Sequence, residues 1–463
     1  MAGVSSAHEL ARLGVDVQVL EKSSSVSAEC SAAPCGVIHR QSSCVGSGEL
    51  QSALKCFFSF GNEFKFAKID WWKTLSDPHF LRWALLFCHN SLWLSSDLHE
   101  SRRQNQLHYY DFAIDLLEDL MFKQYNGEIG ENMGCQRGAL KPLRGSEALQ
   151  EAQAEPSWAP GACSEPSSTV LNRAQALQLE PWLASVGPPT GNTNEIGQME
   201  TISGAMYQPH ALSANCPWFT KRLATICSRE LGVQFQCNTE VTGFDVLGGR
   251  IIAIHTRAHG IITVANDTDV LVAAGSWTPM VLRQLELFAP VYPMKGYTLC
   301  VDLSTGRSDS SQLPQRVVTL DSLYMSRFLD EVRITSMGEF SGYDTKPGEE
   351  VVESIKKQAI NLFPSQAEAI NTAPAMVGLR PLVFDNLLIA GKVPCLHNLY
   401  VNVGPSQTAW KGCLGSARVV AAAVTQRTDL LPGTFNEEMY SPEGKIVKSP
   451  FFCRLADTRF KYF

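Results

Sequence analysis

Two parts of this sequence combine residue types and spacings that bind ligands. Gly3 lies in the first turn of a predicted amphipathic helix, and Glu21 ends the strand that follows it. The free N–H groups of a helix start bind phosphate, and a carboxylate about 20 residues further on binds a ribose hydroxyl. The pattern predicts the second half of a dinucleotide-binding βαβ unit, although ordinary α/β structure also contains such helix–strand pairs.

Arg380 is the second candidate, because it stands directly before a proline in VGLRPLVFDNLLIAG. A guanidinium fixed in this way grips a carboxylate through two parallel hydrogen bonds. The alternative is an arginine that pairs with a structural acid. Two further stretches, DVLVAAGSW and NLYVNVGPSQTAWKG, predict backbone that approaches a ligand closely after a strand. They contribute Ala273, Ala274 and Gly275, and Gly404, Thr408 and Trp410.

The elements around these motifs predict an α/β protein. Residues 52–122 show helical spacing, residues 146–170 have the composition of a flexible insertion, and residues 172–185 read as a short helix. From residue 217 a helix, a strand and a hairpin at Gly248 and Gly249 precede an apolar strand over residues 270–273. Alternating antiparallel strands then follow, before a helix, further strands and a helix of small residues.

Composition limits the class of protein. A chain of 463 residues with 44% hydrophobic content predicts two globular domains. The net charge of −7 without a basic stripe argues against a nucleic-acid partner. The 14 cysteines show no paired spacing, which favours reduced thiols in an intracellular compartment, cytoplasmic or mitochondrial. No metal site is expected.

The most apolar stretch covers residues 80–94 and is interrupted by Arg82, His89 and Asn90. It is too short and too polar to span a bilayer. We interpret it as a helix buried in the second domain. The alternative is a peripheral membrane contact through Trp83, Leu86 and Trp93.

Taken in order, these stretches resemble the family of FAD-dependent D-amino acid oxidases and dehydrogenases, most closely the bacterial-type dehydrogenases. The resemblance covers residues 3–426 and also rests on SAAPCG, EVTGF and PMKGY. It implies a Rossmann-like FAD-binding domain that lacks its first strand, formed by residues 1–65, 196–280 and 376–430. It also implies an α+β substrate domain with an antiparallel sheet, formed by residues 66–195 and 281–375, and a C-terminal tail over residues 431–463.

The resemblance further implies oxidative deamination with FAD, in which the α-hydrogen leaves as hydride to flavin N5 and Arg380 holds the substrate carboxylate. Tyr324 or Tyr297 would add a hydroxyl, with a core position as the alternative for either. The electron acceptor would be oxygen, a quinone or a carrier protein, and no nucleophile is expected. The implied cofactor contacts are Gly3 at the pyrophosphate, Glu21 at the ribose, Ser31 on the isoalloxazine side and Val241 at the adenine. The other implied contacts along the cofactor are Lys22, Ala273, Ala274, Gly275, Gly404, Thr408 and Trp410.

Several positions depart from the family pattern. Pro34 replaces an asparagine, Pro405 and Ser406 replace a His-Gly pair, and Ser336 replaces a glycine. Because the first strand and two phosphate-turn glycines are absent, we expect the sequence to begin downstream of the true start. Two alternatives stay open: a glycine or sarcosine oxidase-like activity, and a non-catalytic relative that binds a partner or metabolite.

Overall fold

The computed structural model describes residues 1–40, 67–154, 168–187, 201–304, 309–404 and 408–449. Capping residues set several helix starts: Asp77 accepts a hydrogen bond from the amide of His79, and Pro78 follows at the first helical position. The helices are α1 Ala2–Arg12, α2 Trp71–Leu75, α3 Pro78–Trp93, α4 Ser96–Phe122, α5 Gly145–Ala154, α6 Arg173–Leu179, α7 Cys216–Glu230, α8 Thr278–Arg283, α9 Glu349–Leu362, α10 Ala367–Thr372, α11 Ala409–Thr425 and α12 Glu437–Tyr440.

The strands within these residues form one large sheet and four small ones. They are β1 Gln18–Leu20, β2 Val37–Ile38, β3 Ala67–Ile69, β4 Gln136–Arg144, β5 Thr169–Asn172, β6 Ile202–Ser213, β7 Gln234–Gln236, β8 Val241–Leu247, β9 Arg250–Thr256, β10 Gly260–Thr263, β11 Val270–Val272, β12 Leu287–Phe288, β13 Val291–Asp302, β14 Val317–Leu320, β15 Leu323–Phe328, β16 Glu331–Phe340, β17 Ala375–Val383, β18 Ile389–Lys392, β19 Leu399–Val403 and β20 Val447–Lys448.

The large sheet has the order β17-β13-β16-β15-β14-β4-β6-β2, with β3 paired to β16 and β5 paired to β6. The neighbours β13, β16 and β17 are antiparallel, as the alternating pattern predicts. Helices α9 and α10 contribute to the core beside this sheet, where Ile355 and Ile370 are buried together with Ile334. The sheet gives β13 and β17 fixed positions beside each other.

The second unit has parallel strands, as a dinucleotide-binding domain requires. β1 pairs with β7 and β11 pairs with β19, both in parallel, while β18 is antiparallel to β19. Helix α1 buries Val4, Ala7 and Leu10. Gly14 follows the helix with a φ of +82°, the left-handed conformation that glycine adopts without a Cβ clash. Within the described residues, the β1 sheet and the β11 sheet share no strand.

Two predicted segments differ in the structure. The expected insertion over residues 146–170 is wrong where it overlaps α5 and β5, because Leu149 and Ala152 pack with Met206 and β5 adds to the sheet; residues 155–167 lie outside the described residues. In the predicted tail, Tyr440 is 1% exposed and β20 pairs with β12. The large sheet also includes β6 and β17, which the predicted boundaries give to the FAD-binding domain, and the boundaries themselves stay a proposal.

Helix α3 has one buried face and one exposed face. Phe80 and Trp83 pack against Tyr292, with ring centroids 5.0 and 6.0 Å apart. Trp83 is 3% exposed, as the interpretation of a buried helix predicts, so the alternative in which Trp83 contacts a membrane does not hold for this residue. The outward face instead carries Leu85, which is 71% exposed. Among the described helices, none combines the length and the apolar character that crossing a bilayer requires.

Candidate functional site

One cavity of about 3070 Å³ joins the two units. Its walls include the start of α1, strand β1, strand β11 with the turn after it, and the start of α11. Gly296, Thr298 and Arg380, from β13 and β17 of the large sheet, line another part of it. Open α/β sheets bind ligands at the carboxyl ends of their strands, and this cavity lies there.

Arg380 provides a cationic group in this part of the cavity wall. Its guanidinium lies over Gly296, where an added Cβ would be 2.6 Å from both Nε and Nη2. Within the described residues no carboxylate forms an ion pair with Arg380; burial lowers its pKa from the ordinary value, and the group stays charged. The alternative interpretation, in which Arg380 pairs with a structural acid, therefore does not hold for the described residues. The arrangement suits a ligand carboxylate.

The two candidate tyrosines have different positions. Tyr324 lines the cavity and is 49% exposed. Tyr297 is 1% exposed and is not part of the cavity wall. Its hydroxyl donates to the carboxylate of Glu339 and accepts from the amide of Gly348 at 3.2 Å. The prediction for Tyr297 is wrong because its strand turns that side chain to the opposite sheet face, and the core alternative holds.

The phosphate-binding part of the prediction lies at the start of α1. A Cβ added to Gly3 would be 3.6 Å from the Cβ of Ala273, so the helix start and the end of β11 are in contact distance. The Met1 ammonium donates to the hydroxyl of Ser31 at 3.3 Å. Ala274 and Gly275 continue the wall beyond Ala273. The free N–H groups of α1 therefore face the cavity between two chain segments.

Glu21, Lys22 and Val241 lie at another part of the same wall. One carboxylate oxygen of Glu21 accepts from the amide of Ser23 at 2.8 Å, which orients the side chain at the end of β1. Lys22 forms an ion pair with Glu29 at 2.8 Å, and its Nζ lies 3.7 Å from the ring centroid of Trp277. The ion pair gives Lys22 a structural partner besides any ligand.

The start of α11 forms a further part of the wall, with Gly404, Thr408 and Trp410 lining the cavity. The hydroxyl of Tyr110 donates to Thr408 Oγ1 at 2.6 Å, and Trp410 Nε1 donates to the carbonyl of Gly36 at 3.3 Å. These bonds fix the helix start. Pro405 and Ser406 lie outside the described residues.

Sequence reasoning missed Lys411 and His39, which both line the cavity. Lys411 Nζ donates to the His39 carbonyl at 3.0 Å and lies 3.9 Å from the ring centroid of Tyr110. Burial, followed by the charge of Lys411, lowers the pKa of His39 well below its usual range. The sequence does contain a signal for Lys411. A cation in the first turn of a helix is unfavourable beside the positive end of the helix dipole, so a lysine there indicates a local partner or a function.

Two thiols border the cavity without the properties of nucleophiles. Burial raises the pKa of Cys30 to about 11 and also raises the pKa of Cys35. Both thiols are therefore protonated near neutral pH. The Pro34 carbonyl between them accepts from Arg333 Nη1 at 2.9 Å, and Ser336 Oγ donates to the Ser322 carbonyl at 3.1 Å. Both departures from the family pattern have local partners.

The wall residues fit a dinucleotide cofactor. A helix start approaches the turn after β11, an oriented carboxylate ends β1, and a second helix start faces the same cavity. Glycine and alanines at the closest approach leave room for a pyrophosphate. Ser276 Oγ donates to the Leu379 carbonyl at 2.6 Å, which fixes the end of β11 directly beside Arg380.

The comparison with protein families decides the class. The family model of FAD dependent oxidoreductases matches residues 1–423. The chain belongs to this family. FAD is the cofactor of this oxidoreductase, and the predicted combination of a Rossmann-like domain with a substrate domain is confirmed.

Relatives and solved structures cover nearly the whole oxidoreductase. A D-amino acid dehydrogenase of Neisseria meningitidis is 26% identical over 92% of this chain and 94% of the relative. A D-amino acid dehydrogenase of Rhizobium johnstonii is 28% identical over the same shares. Glycine oxidase from Geobacillus kaustophilus aligns with a TM-score of 0.62, at 20% identity over 94% of this chain and 95% of that one.

The FAD-bound L-alpha-glycerophosphate oxidase of Mycoplasma pneumoniae aligns with a TM-score of 0.60. The two share 16% identity over 92% of this chain and 93% of that one. At this identity the likeness concerns the fold alone. The oxidoreductase therefore shares its fold with enzymes whose names state different substrates.

Proposed function

We propose that this oxidoreductase oxidises D-amino acids, with Arg380 as the group that holds the substrate carboxylate. The observation that carries the proposal is the guanidinium in the cavity wall with no carboxylate partner among the described residues. A bidentate Arg–carboxylate pair supplies both binding energy and a fixed orientation. The names of the curated relatives support the D configuration.

Tyr324 extends this clamp. It lines the same cavity, and the partial desolvation of its phenol raises its pKa, while the charge of Arg380 lowers it. The phenol therefore keeps its proton near neutral pH and donates it in a hydrogen bond to the substrate carboxylate. One neutral hydrogen bond of this kind contributes about 1 kcal/mol to binding. Tyr324→Phe should accordingly raise KM about fivefold and leave kcat nearly unchanged.

FAD held by these wall residues would supply the acceptor for a hydride from the substrate carbon. The protein's own contribution is to hold the carboxylate, to orient the α-carbon and to enclose the reacting groups. The thiols of Cys30 and Cys35 keep their protons near neutral pH, so neither supplies a thiolate nucleophile. We therefore expect the substrate amine to react in its neutral form, with its proton lost to solvent.

The test is an anaerobic titration of the FAD-saturated protein. We expect bleaching of the flavin absorption with D-alanine and D-proline, and none with L-alanine or with a primary amine that lacks a carboxylate. Bleaching by glycine and sarcosine alone would contradict the proposal and favour a glycine oxidase-like activity. No bleaching across the panel, by protein that has bound stoichiometric FAD, would contradict any amino acid substrate.

The electron acceptor is the second part of the proposal. Oxygen, a quinone and a carrier protein are the candidates that fit such an oxidoreductase. Rates of reoxidation with dissolved oxygen and with a soluble quinone separate the first two. Protein that reacts slowly with both, yet bleaches with D-alanine, requires a carrier protein.

A further inference from the structure

The cavity continues across the large sheet beyond Arg380. Strand pairing fixes a row of side chains on this face of the sheet: Tyr324 of β15 lies opposite Thr319 of β14 on one side and Thr335 of β16 on the other. Thr335 in turn lies opposite Thr298 of β13. All four residues line the cavity. The row therefore leads from β13, which pairs with the strand of Arg380, across the sheet to β14.

Lys141 of β4 continues this row by one more strand. Its neighbour Leu140 lies opposite Val318 in the parallel pair β4–β14, and both are buried in the core on the other face of the sheet. A strand turns successive side chains to opposite faces, so Lys141 and Thr319, each one position further along its strand, share the cavity face. Both line the cavity. The structure therefore puts a lysine in the same wall as Arg380.

The other charged side chains near Lys141 do not cancel its charge. Arg144 and Asp321 also line the cavity, but they pair with each other: Arg144 Nε donates to Asp321 Oδ1 at 3.0 Å, and Nη2 donates to Oδ2 at 2.6 Å. Glu151 of α5 lines the cavity as well and is exposed, so water and salt screen its charge. Burial lowers the pKa of Lys141 from its ordinary value, and the ammonium stays charged near neutral pH. A half-buried cation in a cavity wall suits an anionic group of a ligand.

The separation of the two cations indicates the length of that ligand. The Arg380 guanidinium lies over Gly296 of β13, and the order β13-β16-β15-β14-β4 puts four strand spacings between this point and Lys141. Four spacings of about 4.8 Å give about 19 Å across the sheet. A carboxylate on Arg380 covers one part of this span, and the long stem of Lys141 can cover another part. The methyl group of alanine leaves the remainder empty, whereas an extended side chain that ends in a carboxylate can meet the ammonium.

We propose that the site prefers D-amino acids whose side chains end in a carboxylate, with Lys141 binding that second carboxylate while Arg380 holds the first. The inference rests on the proposed function, because it takes the α-carboxylate to lie on Arg380. D-Glutamate gains a charge-assisted hydrogen bond that D-glutamine, which has nearly the same shape, cannot form with an ammonium as strongly. Lys141 therefore determines specificity and takes no part in the hydride transfer.

The kinetic test compares D-glutamate with D-glutamine on the FAD-loaded chain. The readout is the ratio of their kcat/KM values in dye-coupled turnover, because a general loss of activity cancels in this ratio. We expect a ratio of about ten or more in the wild type and a ratio near one in Lys141→Gln. Lys141→Arg should keep the preference, since it keeps the charge. The matched control is Lys357→Gln, which removes the same charge from an exposed position of α9 outside the cavity wall and should leave the ratio unchanged.

A binding test gives a second readout that does not depend on turnover. Glutarate carries two carboxylates and its monoamide carries one, and the absorption of the bound flavin reports the binding of either. We expect glutarate to bind the wild type about tenfold more tightly than the monoamide, and we expect Lys141→Gln to remove this difference.

The outcomes separate this inference from the proposed function. A kinetic ratio near one in the wild type, an unchanged ratio in Lys141→Gln, or equal affinities for glutarate and its monoamide would overturn the inference. The proposed function would still stand if D-alanine bleaches the flavin. Tighter binding of glutarate without bleaching by any D-amino acid would contradict the proposed function alone and would support Lys141 as the group that binds a second carboxylate.

Discussion

Replacement of Arg380 by methionine tests whether this guanidinium binds the substrate or stabilises the fold. The guanidinium has no carboxylate partner among the described residues and borders a cavity, so its removal breaks no ion pair there. We expect the free energy of unfolding of Arg380→Met to stay within about 1 kcal/mol of the wild-type value. Arg333→Met is the matched control, because Arg333 is 4% exposed and bonds Glu331 at 2.6 Å and the Ala32 carbonyl at 3.0 Å.

The control should lose about 2 to 4 kcal/mol, since it leaves a carboxylate and backbone carbonyls without their donor. For catalysis with a carboxylate substrate we expect the opposite order: Arg380→Met should lose more activity than Arg333→Met. A truncated charge pair costs about 2 to 5 kcal/mol, or a roughly 30- to 5000-fold loss of kcat/KM for D-alanine. Urea unfolding of the chain without added FAD measures the first quantity, and dye-coupled turnover measures the second. A loss of stability by Arg380→Met equal to that of Arg333→Met, or an unchanged kcat/KM, would refute the reasoning.

Three other changes give equally direct readouts. Burial lowers the pKa of His79 from 6.5 to about 4, so only the unfolded chain takes up a proton between these values. Stability is therefore complete above pH 6.5 and falls by about 2 kcal/mol at pH 5, and urea unfolding should show that His79→Gln removes this loss. Gly296→Ala places a Cβ 2.6 Å from the Arg380 guanidinium, so KM for D-alanine should rise ~10- to 100-fold, with FAD affinity unchanged as the check. Glu21→Gln should weaken FAD binding about tenfold in a fluorescence titration, and an unchanged Kd would remove Glu21 from the cofactor site.

The sequence predicted the order of the elements better than the direction of their side chains. The apolar pattern located α1, β13 and α11, because α1 buries one face and the other two elements are buried along most of their length. It did not decide between Tyr297 and Tyr324, since a strand turns alternate residues to opposite sheet faces and the pairing fixes which face meets the cavity. Nor did composition reveal α5, whose Leu149 packs in a cluster with Met206 of β6, a strand distant in the chain. The missed Lys411 depends on tertiary contacts with His39 and Tyr110 in the same way.

Strands β1 and β11 lie in different sheets, and this arrangement affects the local stability of the protein. Both strands line one cavity. Among the described residues they belong to different sheets, because β1 pairs with β7 and β11 pairs with β19. Helix α1 touches both sheets, and Asn402 Nδ2 of β19 donates to Ser6 Oγ of α1 at 3.0 Å. Among the described residues, the pair β1–β7 is therefore connected to the β11 sheet through contacts of α1, and no backbone hydrogen bonds between strands join the two sheets. FAD in the cavity would contact both sheets and should slow the hydrogen exchange of the β1–β7 amides, so cofactor affinity and the local stability of this pair share one free energy.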